Sequence, residues 1–281
     1  MLRSKNKQFT VIKAFNNNVV LVKGARGKEI ILIGKGLGFN VKKGTRIAPD
    51  NDGIEKTFSL DDPVKRENFN QMAAQVDAHI LLVAEKIIAM AEETLGPVNE
   101  HIHIALPDHL NFTLQRLSNN LEIRNPFRYQ VQTLYSDEYA VAVKGAALIE
   151  QELGVAIPDD EIAFIALHLH SALYEEKPWK TLEFTTLIHE MVQHVREQPG
   201  FDLPETGVNY VRLVTHLSAA LKRISEGESV HNPLLQNIRR DFPDAYRLAE
   251  ELARIAHGEL HLLFPDDEVG FLALHLQRLK Q

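Results

Sequence analysis

Four histidines in this chain are spaced in a way that could do chemistry: His109, His168, His216 and His275. The first two are 59 residues apart, and so are the second two. An imidazole can ligate a metal, act as a base, or accept a phosphoryl group on a neutral ring nitrogen. Each use needs different company. "HIH" (101–103) and "HLH" (168–170) suggest metal ligands, but residues two apart on a helix point to different faces. Hydrolase chemistry wants a nucleophile beside an oriented base, and no GxSxG, P-loop or HExxH pattern is present. Phosphoryl acceptance wants a nearby cation. Arg116 follows His109 by seven residues, about two helical turns along one face, and Arg223 follows His216 likewise. Either arginine would serve equally as a solvated surface residue. A hydrogen-bonded core role is the commoner fate of a single buried histidine, but leucine fills an apolar slot at lower cost, and here four recur at matching places.

The recurrence extends beyond the histidines. At a constant offset of 107, Pro158 pairs with Pro265, Glu161 with Glu268, Phe164 with Phe271 and His168 with His275. Going backward, Tyr139 pairs with Tyr246, Asn125 with Asn232, Arg116 with Arg223 and His109 with His216. Two copies of one domain are therefore expected. Asp108 precedes His109 whereas Thr215 precedes His216, so the copies differ electrically. The second copy also replaces His101, His103 and His170 with Val208, Tyr210 and Gln277, which disfavours a metal site. Apolar residues at 69, 72, 76, 80, 83, 87 and 90 step at the helix period and predict one helix there. Residues 137–153 predict another. Pro158 and Pro265, each followed by two aspartates and a glutamate, suit the first turn of a further helix carrying His168 or His275.

The first 57 residues are built differently. They hold twelve Lys/Arg against four Asp/Glu, a net charge of +8, while the rest of the chain carries nineteen against thirty-four, or −15. A basic head on an acidic body suits a polyanionic partner for the head. "QFTVIKAF", "NVVLVK", "KEIILIG" and "LGFNVKKGTRI" are rich in Val and Ile and broken by Asn or Gly, which predicts a small antiparallel sheet. So few residues make a thin core, favouring dimerisation or barrel closure. The expected division is a head at 1–57, a linker at 58–67, and two helical domains at 68–173 and 174–281. The absence of cysteine excludes disulfides, and no apolar run reaches the roughly 20 residues of a membrane-spanning helix, so a cytoplasmic protein without membrane insertion is expected.

The chain resembles the BglG/SacY-type transcriptional antiterminators. "FNNNVVLV", "EIILIGKGLGF" and "IEKTFSL" look like that family's RNA-binding head. "NEHIHIALPDHL", "NPFRYQVQTLYSDEY" and "EIAFIALHLHSAL" look like its first phosphotransferase-system regulation domain, and "VNYVRLVTHL" and "EVGFLALHL" like its second. The resemblance, nearest to the glucose-type members, implies a multidomain fold: a small all-β, barrel-like head that dimerises, followed by two homologous all-α regulation domains. It implies binding to an RNA hairpin in an mRNA leader, preventing a terminator from forming, with no enzymatic activity and no cofactor. It implies phosphorylation of His109 and His168 by a sugar permease, glucose-specific in that branch, and of His216 and His275 by the phosphocarrier HPr. RNA contacts carry over to Asn18, Gly34, Lys35 and Phe39. Many relatives have Arg where Lys35 stands, and lysine lacks the bidentate fork. Two rival readings are a phosphorylation-controlled DNA-binding regulator, for which the head shows no helix-turn-helix pattern, and a helical metal-dependent hydrolase.

Overall fold

A computed structural model describes residues 8–24, 27–58, 63–174, 178–228 and 230–280. Four of the head's basic residues, Arg3, Lys5, Lys7 and Arg26, lie outside the described residues, as do residues 59–62 of the expected linker. The chain forms two units, one of residues 1–124 and 140–176, the other of residues 125–139 and 177–281.

The first unit opens with five antiparallel strands, β1 (Phe9–Ala14), β2 (Val19–Lys23), β3 (Glu29–Ile33), β4 (Arg46–Ile47) and β5 (Lys56–Phe58), in the spatial order β4-β1-β2-β3-β5. Asn16 makes the first hairpin, its Oδ1 accepting from the backbone N–H groups of Asn18 and Val19, each at 2.9 Å. Strand side chains alternate between faces, and here both faces are apolar. Val11, Val20, Val22, Leu32 and Ile47 pack together with Leu37 of the following turns. Val19, Leu21, Ile31 and Ile33 pack on α1 (Pro63–Gln75), through Phe69, Met72 and Ala73, and on Leu81 and Leu82 of α2 (Ala78–Leu95). The thin core expected of the head is thus completed by the helix that follows it.

Two local expectations change. The segment 37–47 is a run of turns reaching a strand only at β4, because Gly36, Asn40 and Gly44 adopt left-handed backbone at φ +73, 56 and 91. The helix expected across 69–90 is two helices. Asp77 breaks it with an extended backbone and caps α2 by accepting from the His79 N–H at 2.7 Å. The apolar period survives the break because both helices present that face to one core.

The unit continues with α3 (Ile102–Ser118), which packs on α2 and α6 (Asp159–Leu173). His103 of α3 is buried and donates from Nδ1 to the buried Glu85 carboxylate of α2, at 2.8 and 3.0 Å.

The second unit is helical: α4 (Arg128–Leu134), α7 (Pro178–Arg196), α8 (Val208–Ser225), α9 (Leu235–Asp241), α10 (Pro243–Leu260) and α11 (Asp266–Leu279). Between α4 and α7 in sequence, α5 (Ser136–Leu153) runs back into the first unit. The core of the second unit gathers Leu187, Met191, Tyr210, Leu213, Leu217, Leu252 and Leu276. At the repeat offset α4 corresponds to α9, yet their surroundings differ. The α9 helix lies against α10 and α11 of its own repeat. The α4 helix lies against α7 and α8: Gln130 donates to His189 Nδ1 at 2.9 Å, and Tyr129 and Leu134 pack on the core. No described helix is long and apolar enough to cross a membrane.

Candidate functional site

Each repeat brings its two histidines together. In the first unit α3 supplies His109 and α6 supplies His168, with ring centroids 4.8 Å apart and planes inclined at 39°. In the second, α8 supplies His216 and α11 supplies His275, stacked at 3.5 Å and 22°. The three acids opening α6 and the three opening α11 sit in the first turn, where the helix dipole favours them. One acid of each set does more. Glu161 and Glu268 lie seven residues before His168 and His275, and each turns inward to the arginine of the facing helix.

At the first pair Glu161 is only 1% exposed. Its Oε2 accepts from the Thr113 hydroxyl at 2.9 Å and lies 3.6 Å from His109 Nε2, and its Oε1 is 3.0 Å from Arg116 NH1. Arg116 NH2 donates to Thr113 Oγ1 at 3.0 Å. At the second pair Arg223 grips Glu268 with two parallel hydrogen bonds, Nε to Oε1 at 2.8 Å and NH2 to Oε2 at 2.9 Å.

The rings are held neutral. Burial, reinforced by Arg116, lowers His109 to about 4. Burial and the neighbouring His109 and His101 lower His168 to about 3. His275 falls to about 4 through burial, His216 and Arg278, and His216 is lowered by burial and by Arg223, Arg212 and Arg278. A neutral imidazole has a nitrogen lone pair to offer at physiological pH, which nucleophilic attack on phosphorus requires. Among the described residues no group of three His, Cys, Asp or Glu is disposed to hold a metal ion. Of the tempting triplets, His101 is exposed, His103 is spent on Glu85, and His170 faces Tyr174 at 4.6 Å between ring centroids.

The head residues also fall in one place. Phe39 is 63% exposed at the tip of the turns after β3. It shares an open concavity with Lys35, Gly36, Thr45, Arg46 and Asn51. Gly34 allows the chain to pass so close to the 51–55 turn that an added Cβ would stand 1.7 Å from the Gly53 carbonyl oxygen. Lys35 is exposed, its backbone N–H donating to Glu55 Oε1 at 3.1 Å. Asn18 is different: it is 6% exposed, and its Oδ1 accepts from the Gly36 N–H at 2.8 Å, so it braces the turn from below. Arg46 and Asn51 escaped the sequence reading because only folding brings 46–51 beside 35–39. Glu161 and Glu268 were read as capping acids; their shared spacing to the next histidine was the available signal.

Comparison with known proteins gives consistent matches. Residues 85–172 and 189–279 each match the PRD domain, and residues 9–67 match the CAT RNA binding domain. Transcription antiterminator LicT of Bacillus subtilis is 31% identical over 273 residues, spanning 96% of this chain and 98% of that protein. The PtsGHI operon antiterminator of the same organism is 32% identical over 98% of both chains. The beta-glucoside operon antiterminator of Dickeya chrysanthemi is 31% identical over 96% of both. A crystal structure of GlcT CAT-PRDI, 36% identical, superimposes with a TM-score of 0.55, covering 59% of this chain and 98% of that one.

Proposed function

The chain belongs to the BglG family of transcription antiterminators, with a CAT RNA-binding domain and two PRD domains, and from that premise we propose that it acts as a dimer on an RNA hairpin in an mRNA leader under the control of histidine phosphorylation. The observation that carries this reading is the pair of facing histidines repeated in both PRD domains, each beside an arginine that forms an ion pair with a buried glutamate. A phosphoryl group on such a ring adds a dianion next to a guanidinium and a carboxylate, repelling one and attracting the other. The donors are the phosphotransferase proteins: a sugar permease for His109 and His168, and HPr for His216 and His275. Glucose is the proposed sugar, by similarity to the PtsGHI operon antiterminator; the beta-glucoside relatives supply the competing inducer to test against it.

On the head, the exposed Phe39 offers a face on which an unpaired base stacks, Lys35 and Arg46 meet phosphate, and Asn18 with Gly34 holds the turn that presents them. An antiparallel sheet with charged, exposed turns and, among its described residues, no recognition helix suits an RNA loop better than a DNA groove.

The test is binding of the full chain to a leader hairpin, with duplex DNA of the same sequence as competitor, across a salt series. Selective RNA binding that persists at moderate salt and weakens on Phe39→Ala is the expected result. Equal, salt-labile binding to both nucleic acids would overturn the head's assignment. In cells, His109→Ala with His168→Ala is expected to release antitermination from its dependence on sugar.

A further inference from the structure

The two arginine–glutamate contacts are built from the same positions of the repeat, yet they differ at one neighbour. Thr113 of α3 is fully buried beside Arg116 and Glu161, and its repeat counterpart is Ala220. The Thr113 hydroxyl occupies Glu161 Oε2 and takes Arg116 NH2. The guanidinium is thereby turned out of register with the carboxylate. NH1 stays within 3.0 Å of Oε1 but without hydrogen-bond alignment, and the buried Nε and NH1 have no hydrogen-bond partner at all. Ala220 offers no hydroxyl, and there the arginine closes onto Glu268 with both bonds made.

Guanidinium nitrogens buried without a hydrogen bond are costly even beside a carboxylate, and an incoming anion relieves them. We propose that Thr113 is a positioning residue that keeps Arg116 available to the phosphoryl oxygens at the first histidine pair, whereas at the second pair a phosphoryl group must compete with Glu268 for Arg223. The proposal rests on the reading of both pairs as phosphorylation sites. It assigns the sites different characters. The first draws on the one arginine that Thr113 leaves unsatisfied, and the second on the exposed Arg212 and Arg278 at its rim.

The transfer balances simply with a small donor. A ring-nitrogen lone pair attacks the phosphorus of phosphoramidate, the donor's P–N bond breaks, ammonia leaves, and the new imidazole–phosphorus bond forms. The other ring nitrogen then exchanges its proton with solvent. The full chain is incubated with phosphoramidate, and phosphohistidine at each pair is quantified over time by peptide mass analysis at alkaline pH. Thr113→Val keeps the volume and removes the hydroxyl; it is expected to lower the labelling rate at the first pair about tenfold, the equivalent of one hydrogen bond to a charged group. Thr113→Ser restores the hydroxyl and is expected to return the rate to within about twofold of the parent, which a packing role would not produce. Ala220→Thr is expected to raise the second pair about threefold, less because Arg212 and Arg278 already serve it. First-pair labelling unchanged in Thr113→Val, or lost equally in Thr113→Ser, overturns the positioning role alone. Absence of label from both pairs in the parent chain overturns the phosphorylation reading beneath it.

Discussion

The first and second histidine pairs are one design placed in two environments. The first is enclosed: Arg116 is 15% exposed, and its carboxylate partner Glu161 1%. The second is open at its edge: Arg223 is 33% exposed, and Arg212 and Arg278 add positive charge where the first repeat has Ala105 and Ser171. The same contrast recurs deeper in the repeats. The buried His103–Glu85 pair of the first becomes Tyr210 and Val192 in the second, both buried in its apolar core. A duplicated scaffold therefore keeps the helix faces that bring two rings together, while a few neighbours decide how much cationic charge adds to the burial that lowers every ring.

The comparison breaks most sharply at the glutamates. Glu161→Ala leaves Arg116 buried and uncompensated and is expected to cost about 3–5 kcal/mol, read as a fall in the urea midpoint. Glu268→Ala leaves an arginine that reaches water and is expected to cost about 1–2 kcal/mol. Should the two losses be equal, the difference in enclosure has no energetic meaning.

Acid separates the pairs next. A histidine lowered in the folded state binds its proton less readily than in the unfolded chain. Its contribution is whole above pH 6.5 and is lost as pH falls toward the folded values, about 4 for His109 and about 3 for His168. For His109 alone the loss across that window is on the order of 3 kcal/mol. Replacing His109 and His168 with Ala is expected to flatten the slope of stability against pH between 6.5 and 4. Replacing His216 and His275 is expected to flatten it less, because solvent screens the more open pair. Chemical denaturation at a series of pH values measures both slopes.

The deeper polar pair sharpens the same point. Glu85→Val alone removes the buried carboxylate that His103 Nδ1 meets and is expected to cost about 2–3 kcal/mol, while Glu85→Val with His103→Tyr, the second repeat's own combination, is expected to stay within about 1 kcal/mol of the parent in urea unfolding. The smallest effect belongs to the surface. Lys86 meets Glu152 at 2.6 Å with both side chains partly solvated, and Lys86→Ala is expected to shift the unfolding midpoint by no more than about 0.5 kcal/mol.

Much of this was readable in the sequence. The four histidines, the two arginines and the two acid-opened helices follow from an offset of 107 and the helix period, because both report local geometry that repeats. What escaped depends on contacts between distant segments. Thr113 and Glu161 are 48 residues apart, and neither motif nor period links a buried threonine on one helix to the first turn of another. Asn18 was named as an RNA contact through the family resemblance, and nothing local in the sequence links its side chain to the Gly36 N–H that it accepts from, eighteen residues away. The break at Asp77 hid inside an unbroken apolar period, and the left-handed residues at 36, 40 and 44 sat among strand formers.

The position of α4 has a consequence for how the protein is made. This short helix belongs by sequence to the first repeat but is buried by α7 and α8, which lie downstream. On a ribosome adding about 5–20 residues per second, α4 emerges seconds before its burial partners exist. Until they arrive, Tyr129 and Leu134 stand in water, a transient sticky surface that a holding chaperone would recognise. The nascent chain thus cannot complete its second unit by finishing the second repeat alone; it must recover a piece it released earlier.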